Sequence, residues 1–335
     1  MQHIHRESAM RPLKFAAMGS AIVAALCVSP VTAAPVFMPG FNQLFMDDFM
    51  NLYRSSSDCA TFGGCLAPNA GTDPLGYRRV DTTVAANTVV GDIVAGILSV
   101  SRIENPAGMV QWTRSPTDEF TGYFAARLGS IQLPCCDPSG MFHLTLGVAN
   151  DPFGILAAGE MFRFYEDSGA GITAFASTGT ASANIGPATD GTAWGTFGLA
   201  LDGYAYVHSG TGGFPATAFF GLELLSAGPV FNAGTLSPIN DPGESEIGGT
   251  PSGGGSLCAA SDFGNVACNQ MVVRSAIISN PAFPGSSSWM LKNEASLSLF
   301  SVPEPSSLAL ACLALLGLGV VVRRGHRHDR MALPV

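Results

Sequence analysis

The segment MFHLTLGV, residues 141–148, sets Phe142, Leu144, Leu146 and Val148 against His143, Thr145 and Gly147. Strict alternation of this kind is the mark of a half-buried β-strand, because successive side chains point to opposite faces. GEMFRFYED repeats the pattern, with Phe162 and Phe164 opposed to Arg163 and Tyr165. Residues 87–103 (NTVVGDIVAGILSVSRI) are rich in β-branched side chains, and Gly91 and Gly96 within them predict bends or bulges. EFTGYFAARLGSIQL follows, and further strands are expected at residues 194–201, 216–225, 266–278 and 289–300. Clusters such as NDPFG and NPAFPGSSS punctuate them, as turns require. Many short strands separated by turns predict a mostly β domain, an antiparallel sandwich or jelly roll. No internal repeat points to a propeller or β-helix. One short helix is expected at its start. In FNQLFMDDFMNLYRS, residues 41–55, Phe41, Leu44, Phe45, Leu52 and Tyr53 fall near one side at helical spacing. Residues 240–256 are too polar and glycine-rich to pack and read as an exposed loop.

The two ends follow different rules. Arg6, Arg11 and Lys14 precede an apolar run from Phe15 to Val28, and the small residues Ala33 and Ala34 follow. A basic start, a short apolar segment and a small-residue site make a secretory signal peptide over residues 1–33, with cleavage between Ala33 and Ala34. At the other end, residues 306–322 carry no charge. As a helix they would span about 25 Å, near the lower limit for crossing a bilayer. Arg323, Arg324, Arg327 and Arg330 follow within residues 323–335. Such a cluster stays cytoplasmic, so residues 34–301 would lie outside, the orientation a signal peptide also demands. Pro303 and Pro305 keep residues 302–305 extended and present Glu304 where a processing enzyme can read it.

Val302-Pro303-Glu304-Pro305, the apolar segment and the arginine cluster together resemble the PEP-CTERM sorting signal of Gram-negative bacteria. The resemblance covers about 30 residues, and the same tail is also labelled an ice-binding protein C-terminal domain, a label that concerns the tail alone. It implies that the tail holds an exported protein in the inner membrane. A membrane-embedded exosortase, a cysteine transpeptidase, then cleaves near Pro-Glu-Pro and leaves the protein at the cell surface or in the extracellular matrix. Hosts of the family typically make exopolysaccharide. The extension from Gly325 to Val335 is longer than the family's usual arginine stop.

Residues 34–301 hold 9 Lys and Arg against 22 Asp and Glu, a net charge of −13. That balance excludes nucleic acid as a partner, since phosphate binding needs a basic face. Six cysteines lie in this part, and export to an oxidising compartment predicts disulfides. Cys59 with Cys65 and Cys258 with Cys268 are expected as loop staples, whereas the pairing of the adjacent Cys135 and Cys136 stays open. No zinc spacing occurs, and no metal or cofactor is expected.

No nucleophile elbow, P-loop, dinucleotide fingerprint or zincin motif is present. His143 and His208, the latter beside Ser209, are the only histidines of the exported part. Asp118-Glu119 and Glu166-Asp167 are the carboxylate pairs a glycan hydrolase could use, but such pairs usually sit solvated in turns. Asp47-Asp48 and Asp241, Glu244 and Glu246 are the oxygen-rich groups open to calcium, although none matches an EF-hand. Trp194, opening an apolar strand, reads as core, while Trp112 in VQWTRSPTDE is the surface candidate for stacking on a sugar. The expectation is an exported, non-catalytic surface or matrix protein associated with exopolysaccharide. The alternative is an extracellular enzyme acting on matrix polysaccharide.

Overall fold

The computed structural model describes residues 40–105, 107–132, 142–199, 205–209, 216–228, 236–237, 239–240, 256–257, 268–269 and 271–301. The expected signal peptide over residues 1–33, residues 302–335, Cys135, Cys136, Cys258, Asp241, Glu244 and Glu246 lie outside them. Among the described residues no helix is long and apolar enough to cross a membrane.

The principal strands are β1 (Gly40–Ser55), β3 (Ile93–Glu104), β5 (Asp118–Gln132), β6 (Phe142–Val148), β7 (Phe162–Ser168), β8 (Thr192–Leu199), β9 (Ala205–Ser209), β10 (Ala216–Ala227), β15 (Met271–Ser279) and β16 (Leu291–Ser301). Between them lie the short strands β2 (Tyr77–Arg79), β4 (Val110–Thr113), β11 (Leu236–Ser237), β12 (Ile239–Asn240), β13 (Ser256–Leu257) and β14 (Cys268–Asn269). Helix α1 is Ser56–Phe62 and helix α2 is Ala181–Thr189. All ladders between these strands are antiparallel, which bears out the mostly β, antiparallel class.

The arrangement differs from a sandwich or jelly roll. β3 pairs β1, β1 pairs β16, and β15 and β10 follow, then β8, β7 and β5, which pairs back to β3. The result is a closed up-and-down ring of eight strands, sealed where β1 meets β16 over eleven residue pairs. β5 and β10 are long enough to be bridged twice. The first half of β5 pairs β7 and its second half pairs β6; β10 pairs β9 through Phe220 and β8 from Leu222 onward. One half of the barrel is therefore walled by β7–β8 and the other by β6–β9.

The helix expected at residues 41–55 is strand β1, at the seam of the barrel. The misleading signal was apolar residues on both faces. Leu44, Met46, Met50 and Leu52 face the interior, whereas outside Arg102 stacks on Phe45, Phe49 meets Phe175 and Tyr53 meets Phe153. A strand clad on both sides loses its period of two. Gly91 does serve a turn, with a φ of 98° before β3. Gly96 marks a close approach instead: a Cβ there would lie 2.3 Å from the Phe49 carbonyl oxygen. The bulge in this ladder falls elsewhere, at Phe45/Met46.

Two apolar cores result. One fills the barrel; the other lies outside β1, β3 and β5, where Ile97, Tyr123 and Ala125 are covered by Ala181, Ile185 and Ala188 of α2 and by Trp289. Thr180 caps α2 through its side chain, and Asn184 fixes the helix by accepting from Trp289 Nε1 at 3.0 Å. Cys59–Cys65 is a disulfide, as expected, closing the loop after α1. β12 pairs Asn240 with Ser256 of β13, so the two ends of the polar stretch 240–256 are tied together.

Candidate functional site

The β7–β8 half of the barrel is packed with rings. Phe120 stacks on Phe164 with centroids 5.4 Å apart and meets Trp194 edge-on at 5.1 Å, and Phe124 stacks on Phe162 at 5.4 Å. The β6–β9 half is lined by smaller side chains, including Leu144, Leu146, Val207, Ala216 and Ala218. An eight-stranded barrel is just wide enough to be filled by side chains or to hold one small ligand. Here the aromatic half is filled, and the other encloses a cavity of about 90 Å³.

The polar part of the cavity wall is Thr82, Thr88 and a connected group of three. Asp48 of β1 lies opposite Asn293 of β16, and Asn293 lies opposite Ile277, one inward step from Ser275 of β15. Asn293 Nδ2 donates to Asp48 Oδ2 at 2.8 Å and also to Ser275 Oγ. All three residues are buried. Burial pushes the Asp48 carboxyl up to about 8, with the Asn293 hydrogen bond opposing and the charge of Asp47 adding. Asp48 is therefore a neutral acid at pH 7. Its Oδ1 and the Asn293 Oδ1 have no hydrogen-bond partner in the protein. Calcium ligation by Asp47-Asp48 is not what this geometry offers: the two side chains point to opposite faces, and Asp47 is paired with Lys292 at 3.3 Å.

A second acidic group occupies the β7–β8 half. Asp118 and Glu166 share one face of the β5–β7 ladder, in diagonal positions. Trp112 Nε1 donates to Asp118 Oδ2 at 2.8 Å. Burial, and then the charge of Asp118, pushes the Glu166 carboxyl up to about 7. Glu119, on the other face, accepts from the Phe175 backbone N–H at 2.8 Å. Glu119 and Glu166 are buried, so these carboxylates are not the solvated turn charges their positions at strand ends suggested.

Trp112 is 8 % exposed and packs in the barrel core, so it is not the surface platform expected from its polar neighbours. Those neighbours form the turn between β4 and β5, where Ser115 and Asp118 pair, and the indole is bonded inward to Asp118. Trp194 is core, as expected. His143 and His208 are brought directly opposite each other in the β6–β9 ladder, a pairing that spacing along the chain does not announce. Asn293 and Ser275 escaped the sequence reading altogether. The one signal was Asp48 itself, a carboxylate interrupting the run Leu44, Met46, Met50, Leu52.

The similarity found to a known family lies in the tail. Residues 301–324 match the family model of the PEP-CTERM protein-sorting motif. The matched span contains Val302–Pro305, Arg323 and Arg324; Arg327 and Arg330 lie beyond it. No curated protein and no solved structure matches the chain. The motif marks an exosortase-targeted exported protein of Gram-negative type, processed at the membrane. The chain is thus an exported protein with a sorting tail, carried by a closed β-barrel.

Proposed function

We propose that the barrel is a non-catalytic component of the cell surface or extracellular matrix, associated with exopolysaccharide after its tail has been processed. The observation that carries this reading is the sorting motif at residues 301–324, which directs the chain to a processing enzyme. Val302–Pro305 would be the segment that enzyme reads, and the arginines from Arg323 onward would hold the tail on the cytoplasmic side. The exported part also suits a hydrated matrix: its net charge of −13 keeps it soluble. The test is co-sedimentation of the host-released protein with the host's own exopolysaccharide, beside an unrelated acidic protein. Retention of the barrel protein alone supports the reading; equal behaviour of the two proteins overturns it.

A second reading, a glycan hydrolase, has one observation in its favour. Asp118 and Glu166 share a face, and Glu166 is pushed up beside its neighbour, the pattern by which two carboxyls divide acid and base roles. Release of reducing ends from the polysaccharide, abolished by Glu166→Gln, would establish it in place of the first.

A further inference from the structure

We propose that the β6–β9 half of the barrel binds one small neutral molecule with an apolar body and a hydroxyl group, held by Asp48 and Asn293 through a reciprocal pair of hydrogen bonds. The size follows from the cavity of about 90 Å³. An apolar cavity of about 150 Å³ takes a benzene, so this one has room for a body of about four carbons. The apolar character follows from the walls, which are mostly apolar and include Leu144, Leu146, Val207, Phe220, Val273 and Ile277.

The hydroxyl follows from the two atoms left over. Asn293 Nδ2 is committed to Asp48 Oδ2 and Ser275 Oγ. Asp48 Oδ2 accepts that bond, so the proton of the neutral acid sits on Oδ1. Asp48 Oδ1–H is then a donor without an acceptor, and Asn293 Oδ1 an acceptor without a donor. A hydroxyl is the smallest group that accepts one hydrogen bond and donates another. Buried polar atoms left unpaired are costly, and a barrel built only for stability would carry apolar residues at both positions.

A carboxylate ligand fits poorly, since no described residue of the lining is a cation that could offset its charge. Among the described residues of the lining, Asp48 is the only titratable group. The charged residues flanking it on β1 and β16, namely Asp47, Lys292 and Glu294, occupy outward positions, where Lys292 pairs with both acids. A water molecule could bridge the same two atoms, but it lacks the apolar body that the walls fit.

Isothermal titration of the purified full-length protein with 1-butanol, 1-pentanol and 1-hexanol separates these cases. Saturable one-to-one binding is expected, tightening about fourfold per added methylene while the chain still fits. The ether 1-methoxybutane, which cannot donate to Asn293, should bind at least tenfold more weakly than 1-pentanol. Binding of the alcohols should weaken from pH 6.5 to pH 9.5 as Asp48 loses its donor. Asp48→Asn keeps a donor at the same place and should bind with no pH dependence over that range. Asn293→Leu, which removes the acceptor that only the alcohol can use and is checked for folding by thermal melt, should lose the preference for alcohol over ether. Absence of saturable binding, equal binding of ether and alcohol, or the same pH loss in Asp48→Asn would each overturn the proposal.

Discussion

Arg54 and Asp92 form a two-pronged ion pair inside the protein, Nε to Oδ1 at 2.6 Å and Nη2 to Oδ2 at 2.7 Å. Both side chains are almost completely removed from solvent. The remaining guanidinium bonds go to the backbone carbonyls of Gly63 and Asn87, and Asp92 Oδ2 also accepts from Val89 N–H. One arginine at the end of β1 thus ties the disulfide loop to the turn that leads into β3. Removing one partner strands the other as a buried charge. Asp92→Ala should therefore destabilise by about 3–5 kcal/mol. Arg54→Met with Asp92→Leu should cost less than Asp92→Ala alone, measured by urea unfolding.

The two raised carboxyls predict how stability depends on pH. Asp48 and Glu166 titrate at about 8 and 7 in the folded chain, against 3.8 and 4.5 for exposed groups. Above those lower values the folded state holds more protons than the unfolded one. The stability linked to these groups is fully present below about pH 4 and is lost as pH rises through 7 to 8. The difference in unfolding free energy between wild type and Asp48→Asn should change between pH 5 and pH 8, with a limiting slope of about 1.4 kcal/mol per pH unit. A constant difference across that range would show that Asp48 is ionised in the fold.

Gly96 is a contact between strands. A methyl at this position would press on the Phe49 carbonyl oxygen and on Met50 Cβ, at 2.3 and 2.8 Å. Both belong to β1, so relief requires moving a strand that is paired on both edges. Gly96→Ala should cost about 1–3 kcal/mol or more by overpacking, with a lowered thermal midpoint as the readout. Gly147→Ala, where a Cβ meets nothing within 4 Å, serves as the control and should cost less.

Trp112 is held by packing and by Asp118, so its loss should appear as instability. Trp112→Ala should destabilise by about 3–5 kcal/mol, as truncation of a buried aromatic does. Trp112→Phe keeps most of the ring but frees Asp118 Oδ2, and should cost about 1–3 kcal/mol. If the protein is retained by exopolysaccharide, Trp112→Phe should be retained equally well at a temperature where it is folded. Selective loss of retention would place the indole at a sugar-binding surface after all.

The strand pattern was legible wherever a strand is clad on one side only, as in Phe142–Val148, or is rich in β-branched residues, as in Ile93–Glu104. It failed at β1, because Phe45, Phe49 and Tyr53 pack outside the barrel while Leu44, Met46 and Met50 pack inside it. The adjacent carboxylates Asp118-Glu119 and Glu166-Asp167 were visible as pairs along the chain. Strand alternation sends the members of each pair to opposite faces, so the pair that matters, Asp118 with Glu166, is formed across two strands.

From the sequence alone came the antiparallel β class, the Cys59–Cys65 staple and the sorting motif, each of which depends on residues close together in the chain. Only the tertiary structure decided that the sheet closes on itself, since closure rests on β1 meeting β16 some 250 positions away. The same closure sets Asp48 against Asn293 and Ser275 within an apolar wall. Removal from water makes that aspartate a neutral hydrogen-bond donor, a property that no neighbour along the chain could give it.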